Sequence, residues 1–335
     1  MSDATASQRK NAAVAVLWMT LISISSYAAF TLWVGIDDVK VAFAKVTTQT
    51  LLICTACSLS NFALRIIRWW SLAPQTAKSI PRARLSQVYL SGLALTASPG
   101  KLGELVRSIF LAQNGISFVQ SIVMFLQDRL SDLFGVVGVV LLLSLYLDNG
   151  SNSTWFCLAL ALLAFALLVS VRWWRLLRFV ARVSASAGAP SARSRSIAAK
   201  AATRVHALHE NPKLSEFAAC WEARWSVRSA CAFTALGAAA YSIQSFGLIL
   251  LSRDMGFDIA SAQLVLTYLS STLLGAASFI PSGLGVMEGS MILQLSKLGV
   301  DTPSAAALTL IMRAATLWLG VVIGCVALAS LIKRK

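Results

Sequence analysis

Long apolar runs separated by short charged stretches set the pattern of this chain. Runs at 12–34, 48–66, 117–147, 154–171, 228–251 and 303–332 approach or exceed the ~20 apolar residues that a helix needs to cross a bilayer, and predict six full transmembrane helices. Two further apolar stretches are interrupted. Residues 85–98 rise only about 21 Å as a helix before Pro99-Gly100 breaks it. Residues 104–113 then run to Asn114-Gly115. Residues 259–280 run into Pro281, and 288–298 lead away to Gly299. Each pair predicts a re-entrant, broken hairpin, at 85–113 and at 259–298. Such backbone is tolerated at membrane depth only where protein or a wet cavity covers it.

Charge sets the orientation. Residues 65–84 carry five Lys/Arg and no acid, and 172–213 carry nine Lys/Arg against one acid. Basic loops mark the cytoplasmic side. Arg65-Ile-Ile-Arg68-Trp69-Trp70 reads as an interfacial anchor closing the second span, and Trp221 and Trp225 among charges read as interfacial at 214–227. Both termini fall on the cytoplasmic side, with Lys333-Arg334-Lys335 as the final stop. The first half is then 12–171, the basic loop 172–213 and the second half 214–335, all within one membrane domain.

A motif occurs twice. Pro99-Gly100-Lys101-Leu102-Gly103-Glu104 is echoed by Pro281-Ser282-Gly283-Leu284-Gly285, with Glu288 two residues later than strict register. Glu104, Gly115 and Arg129 stand 184 positions before Glu288, Gly299 and Arg313. Counting spans gives the two copies opposite orientations. That is the pattern of inverted repeats, in which a binding site lies near the midplane between the halves.

Composition agrees and narrows the chemistry. The chain of 335 residues is 57% hydrophobic and 13% charged, with mean hydropathy +0.72. A soluble domain carries roughly 25% charge, so this is an all-α polytopic membrane protein. The net charge of +15 sits in loops, as the membrane rule requires, and does not indicate nucleic acid.

Charges inside the apolar segments are the candidate site, because a charge at the bilayer centre costs at least ~2.5 kcal/mol. Arg129 and Arg313 fall near mid-membrane. Asp128 and Asp132 offer Arg129 a local partner. Arg313 has no acid in its own span, so Glu104 or Glu288 must supply one. Lys101 and Arg107 add positive charge near the first hairpin. Guanidinium groups fork onto phosphate oxygens, and helix starts after Pro99 and Pro281 present free N–H groups. This set therefore predicts phosphate recognition, with Pro99, Gly100, Gly103, Pro281, Gly283 and Gly285 forming the hairpin tips. The glutamates either orient the arginines or carry a proton.

Other signals are weak. Cys54-Thr-Ala-Cys57 lacks metal-binding company, and His206 and His209 have no third ligand. Gly320-x-x-x-Gly324 reads as helix packing. No nucleophile–base pair or nucleotide motif appears, so the expectation is no enzyme activity, no cofactor and no metal.

Ser98-Pro-Gly-Lys-Leu-Gly-Glu-Leu-Val-Arg107, Asn114-Gly-Ile and Asp128-Arg129-Leu-Ser-Asp132 resemble the first half of the lysylphosphatidylglycerol synthase transmembrane (flippase-like) domain family. Ile280-Pro-Ser-Gly-Leu-Gly285, Glu288, Leu298-Gly-Val and Arg313 through Trp318 and Gly320 resemble its second half. The resemblance implies a bacterial or archaeal membrane protein that handles anionic, aminoacylated or polyprenyl-phosphate-linked lipids. Fused members carry a soluble aminoacyl-transferase domain after this region. Here the chain ends at Lys335, so the synthase chemistry is not carried over. Flippase-like translocation in a bacterial inner membrane is the reading that follows. A lipid-binding accessory subunit for a separate glycosyl- or aminoacyl-transferase is the alternative, and a coupled transporter of a small solute a third.

Overall fold

Apolar runs of this length must satisfy every backbone group within their own segment, and only a helix does so for a single span. A computed structural model describes residues 40–41, 43–96, 106–147, 212–278 and 280–333. The predicted spans at 12–34 and 154–171, nearly all of the basic loop, and Pro99, Gly100, Lys101, Gly103 and Glu104 lie outside the described residues. In chain order the helices are α1 (Thr48–Leu72), α2 (Arg82–Ser91), α3 (Arg107–Ala112), α4 (Phe118–Tyr146), α5 (Pro212–Arg224), α6 (Val227–Asp254), α7 (Ser261–Ala277), α8 (Val286–Lys297) and α9 (Thr302–Lys333). No strand occurs among the described residues. Of these helices, α1, α4, α6 and α9 are long and apolar enough to cross a membrane. They correspond to the four predicted spans that fall on described residues.

Two of the long helices run one way and two the other. α1 and α6 pack antiparallel along their whole length. Thr47 N donates to Asp254 Oδ2 at 2.9 Å, Cys54 Sγ to the Gly247 carbonyl at 3.6 Å, and Asn61 Nδ2 to the Ala240 carbonyl at 2.9 Å. Two apolar clusters mark the two ends of the bundle. One gathers Cys54, Val140, Leu248, Leu269, Met291 and Ala305. The other gathers Trp69, Tyr89, Leu111, Met124, Phe233 and Leu331. α1 and α9 therefore run from the first cluster to the second, and α4 and α6 run back.

The short helices divide between the two ends. α2 and α3 belong to the second cluster, where Arg107 Nε donates to the Tyr89 carbonyl at 3.0 Å. α7 and α8 belong to the first. They form an antiparallel pair fastened by Ser270 to Gln294 at 2.9 Å and Ser271 to Ser290 at 3.3 Å. A short 3₁₀ turn, Gly92–Leu95, carries α2 inward, and Pro281–Gly283 turns α7 toward α8. α2 with its 3₁₀ turn and the α7–α8 pair thus approach from opposite ends and meet in the interior, where Ser282 Oγ donates to the Thr96 carbonyl at 3.2 Å.

The 184-residue echo is present in backbone geometry as well as in letters. After α3, the amides of Asn114, Gly115 and Ile116 donate to the carbonyls of Leu111, Ala112 and Leu111. After α8, the amides of Leu298, Gly299 and Val300 donate to Leu295, Ser296 and Leu295. Every donor and acceptor matches its counterpart at the same offset. Gly115 (φ +78) and Gly299 (φ +91) take the left-handed conformation that ends a helix and that glycine adopts without a Cβ penalty. The next helix then starts on an equivalent cap. Ser117 Oγ accepts from Gln120 N at 3.1 Å, and Asp301 Oδ2 accepts from Ser304 N at 3.0 Å. The equivalent helices α4 and α9 run in opposite directions, as do α1 and α6, so the repeat is inverted.

Three expectations are corrected. α1 does not stop near 66 but continues to Leu72. Arg65 and Arg68 are not interfacial anchors; they are 7% and 0% exposed and face acids on α4. Trp221 and Trp225 are buried rather than interfacial, in an aromatic row that runs through Phe217, Trp221, Trp225 and Phe233. Of the first predicted hairpin, the described helical backbone covers Arg82–Leu95 and Arg107–Ala112. Within α9, residues Ala314–Trp318 form a π turn directly after Arg313.

Candidate functional site

Arg129 is the twelfth residue of α4 and Arg313 the twelfth of α9. Because the two caps are equivalent and the helices run oppositely, both arginines come to the same depth from opposite ends. They line one cavity of about 110 Å³ beside Thr96 and Ser282. Arg65 from α1 lines it too, with Tyr241 and Gln244 from α6, Tyr268 and Thr272 from α7, and Thr316 from α9. Thr96 and Ser282 close it where they touch.

The carboxylates stand behind the arginines. Arg68 is wholly buried; its Nη2 reaches Asp128 Oδ1 and Asp132 Oδ1, each at 2.6 Å. Arg65 Nη2 reaches Asp132 Oδ2 at 2.6 Å, and Arg129 Nη2 reaches Asp128 Oδ2 at 2.6 Å. Arg129 Nη1 lies 3.6 Å from Asp132 Oδ2. Three guanidinium groups thus share two carboxylates, leaving one positive charge in excess. Asp128 and Asp132 each accept from two guanidinium groups, charge-assisted bonds that offset part of the cost of burying them. Neither aspartate lines the cavity.

Arg313 is held differently. Its Nε donates to Glu288 Oε1 at 2.6 Å and its Nη2 to the Ser282 carbonyl at 2.9 Å. Glu288 Oε2 accepts from Gly285 N at 2.8 Å, so one carboxylate both caps α8 and fixes Arg313. Gly283 (φ +66) and Gly285 (φ +80) supply the turn that lets this happen. Of the two acids the sequence offered Arg313, Glu288 is the one in contact; Glu104 lies outside the described residues.

Arg107 does not join the cavity. Its guanidinium stacks over Tyr89 at 4.3 Å and Trp69 at 5.3 Å from the ring centroids. Pro281 begins the turn of the second hairpin. Sequence reasoning missed Arg65, Tyr241, Gln244 and Tyr268 as cavity residues. A signal existed for Arg65. It stands three positions before Arg68 on a helix, and Asp128 and Asp132 form a matching i, i+4 pair of acids.

The lining is cationic and hydrogen-bonding, with no carboxylate among its described residues. Arg65 Nε and Thr96 Oγ1 are buried without a hydrogen-bond partner among the described residues. Buried donors in that state are held ready for water or a ligand. The arrangement can hold an anion.

Long apolar helices joined by buried ion pairs define an α-helical, multi-pass membrane protein. A family model described as lysylphosphatidylglycerol synthase TM region matches residues 13–324, nearly the whole chain, and the protein belongs to that family. Membership points to a membrane-embedded, lipid-related role. Comparison with curated proteins gives no match.

Proposed function

We propose that the protein moves an anionic or phosphate-linked lipid across the membrane in a flippase-like manner, without hydrolysing ATP. The headgroup phosphate sits between Arg129 and Arg313, with Arg65 beside them, and the tails stay in the lipid. One observation carries this reading: Arg65, Arg129 and Arg313, from three separate helices, converge on one cavity. Guanidinium forks match phosphate oxygens, and the aspartates and Glu288 hold those forks in place from behind. The opposed hairpins are re-entrant, and rocking of one repeat against the other opens the cavity to each side in turn. Arg82, Arg84, Arg224, Arg228 and Lys333 gather at the α2–α3 end, which supports a cytoplasmic assignment for that end. Both termini are then cytoplasmic, in a bacterial inner membrane.

Outer-leaflet labelling of a candidate lipid in reconstituted vesicles tests the proposal. Arg129→Ala and Arg313→Ala are each expected to slow translocation about tenfold or more, the loss of one charge-assisted contact. Unchanged translocation in both variants would overturn it. Lipid retained in native mass spectrometry by an unsubstituted protein that translocates nothing would favour the accessory-subunit reading.

A further inference from the structure

Two amide side chains line the cavity beside the arginines, Asn61 from α1 and Gln244 from α6. Both are buried, at 1% and 6% exposure. The backbone fixes their sense. Asn61 Nδ2 lies 2.9 Å from the Ala240 carbonyl, which only accepts, so the amide nitrogen and not the oxygen must stand there. The same nitrogen lies 3.2 Å from Gln244, whose facing atom is therefore its acceptor, Oε1. Both protons of Asn61 Nδ2 are committed to these bonds. One acceptor, Asn61 Oδ1, and one donor group, Gln244 Nε2, are left over. Neither has a hydrogen-bond partner among the described residues. Buried amide groups in that state are costly unless water or a ligand meets them.

An acceptor beside a donor suits a hydroxyl group, which gives one hydrogen bond and accepts others. A phosphate oxygen uses only the donor, and an ammonium only the acceptor. The amides also stand at a set distance from the charge. Arg65 follows Asn61 by four residues on α1, and Tyr241 precedes Gln244 by three on α6. The Arg65 guanidinium lies over the Tyr241 ring at 5.8 Å from its centroid. The antiparallel helices thus present two rungs about 5 Å apart, one helical turn. One rung carries the guanidinium, whose buried Nε has no partner among the described residues. The other carries the amides. A hydroxyl on the second or third carbon beyond a phosphate ester spans that gap.

We infer that Asn61 and Gln244 select a headgroup that carries a hydroxyl close to its phosphate. Gln244 Nε2 donates to the hydroxyl oxygen, and Asn61 Oδ1 accepts from the hydroxyl proton. Glycerol and sugar phosphodiesters belong to that class, and plain alkyl phosphodiesters do not. This inference rests on the phosphate reading of the cavity and adds selectivity to it.

The test offers the whole chain, in detergent micelles, equal amounts of phosphatidylglycerol and phosphatidylethanol with the same acyl chains. Bound lipid is counted by native mass spectrometry. The two lipids share charge, phosphodiester and tails, and differ in the hydroxyls. The unsubstituted protein is expected to retain phosphatidylglycerol about tenfold or more over phosphatidylethanol, because the analogue leaves the buried amide groups unmet. Gln244→Leu and Asn61→Leu are each expected to bring that ratio close to one. A pair that merely ties α1 to α6 lowers thermal stability on substitution and leaves the ratio unmoved, which overturns the inference. Equal retention of the two lipids by the unsubstituted protein also overturns it and leaves the phosphate site standing. A protein that retains neither lipid, and gains no more thermal stability from glycerol phosphate than from ethyl phosphate, overturns both readings. Stabilisation by glycerol phosphate over ethyl phosphate, with neither lipid retained, upholds the amide pair and makes its ligand a soluble one.

Discussion

Arg313 and Glu288, 25 positions apart, meet at 2.6 Å with both side chains almost fully buried, and the same carboxylate caps the helix that follows the hairpin tip. The contact fixes an arginine whose own helix supplies no acid. Glu288→Ala leaves a buried guanidinium without its carboxylate and is expected to cost on the order of 3 kcal/mol. Glu288→Gln keeps an acceptor for Gly285 N and is expected to cost less. Thermal unfolding of the detergent-solubilised variants checks the order; equal losses, or none, would contradict it.

The cluster on α4 makes a sharper prediction because it is shared. Removing Arg68 leaves Asp128 and Asp132 facing each other with one guanidinium fewer, and Arg68→Met is expected to destabilise by about 3–5 kcal/mol. Arg68→Lys is expected to recover little, since an ammonium cannot fork between the two carboxylates. The double variant Arg68→Met/Asp128→Leu removes both charges and is expected to be more stable than Arg68→Met alone. Melting temperature and monodisperse yield measure all three.

Opposed hairpins require opposed exposure. Gln113 and Lys297 are exposed residues at the ends of α3 and α8 and are equivalent under the 184-residue repeat. In a protein without its native cysteines, Gln113→Cys is expected to react with a membrane-impermeant maleimide from the cytoplasmic side only, and Lys297→Cys from the other side only. Labelling of both from one side would rule out the inverted arrangement in the membrane.

Close approach of α9 to the first hairpin depends on one missing side chain. A Cβ at Gly324 would lie 2.2 Å from the Ala94 amide nitrogen, against rigid backbone. At Gly320 it would meet only the Phe62 ring edge at 3.2 Å. Gly324→Ala is therefore expected to cost about 1–3 kcal/mol by overpacking, and Gly320→Ala distinctly less. Chemical denaturation in mild detergent separates the two.

The residues made much of this legible, for identifiable reasons. Apolar runs gave the four describable spans, because a membrane leaves a helix no alternative. Register at a fixed offset located the caps around Gly115 and Gly299 and placed Arg129 and Arg313 level, since equal distances from equivalent caps give equal depth. The buried roles of Arg65 and Arg68 were hidden because Arg beside Trp at a helix end fits a lipid interface as well as a protein interior. Only the position of α4 decides between them. Tyr241, Gln244 and Tyr268 carried no signal at all, because a polar residue on an apolar helix faces the cavity or a neighbour according to rotation that a sequence does not print. Asp128 and Asp132 were grouped correctly with Arg129, but their stronger ties are to a helix some sixty residues earlier.

The π turn at Ala314–Trp318 has a mechanical consequence. One extra residue in a helical turn rotates everything beyond it by about 100° relative to a regular helix. α9 can therefore aim Arg313 at the second hairpin and Gly324 at the first, although the two lie on one rod. Excising a single residue from that turn would leave the rod straight and its two ends pointing the wrong way, a steering error with every side chain still present.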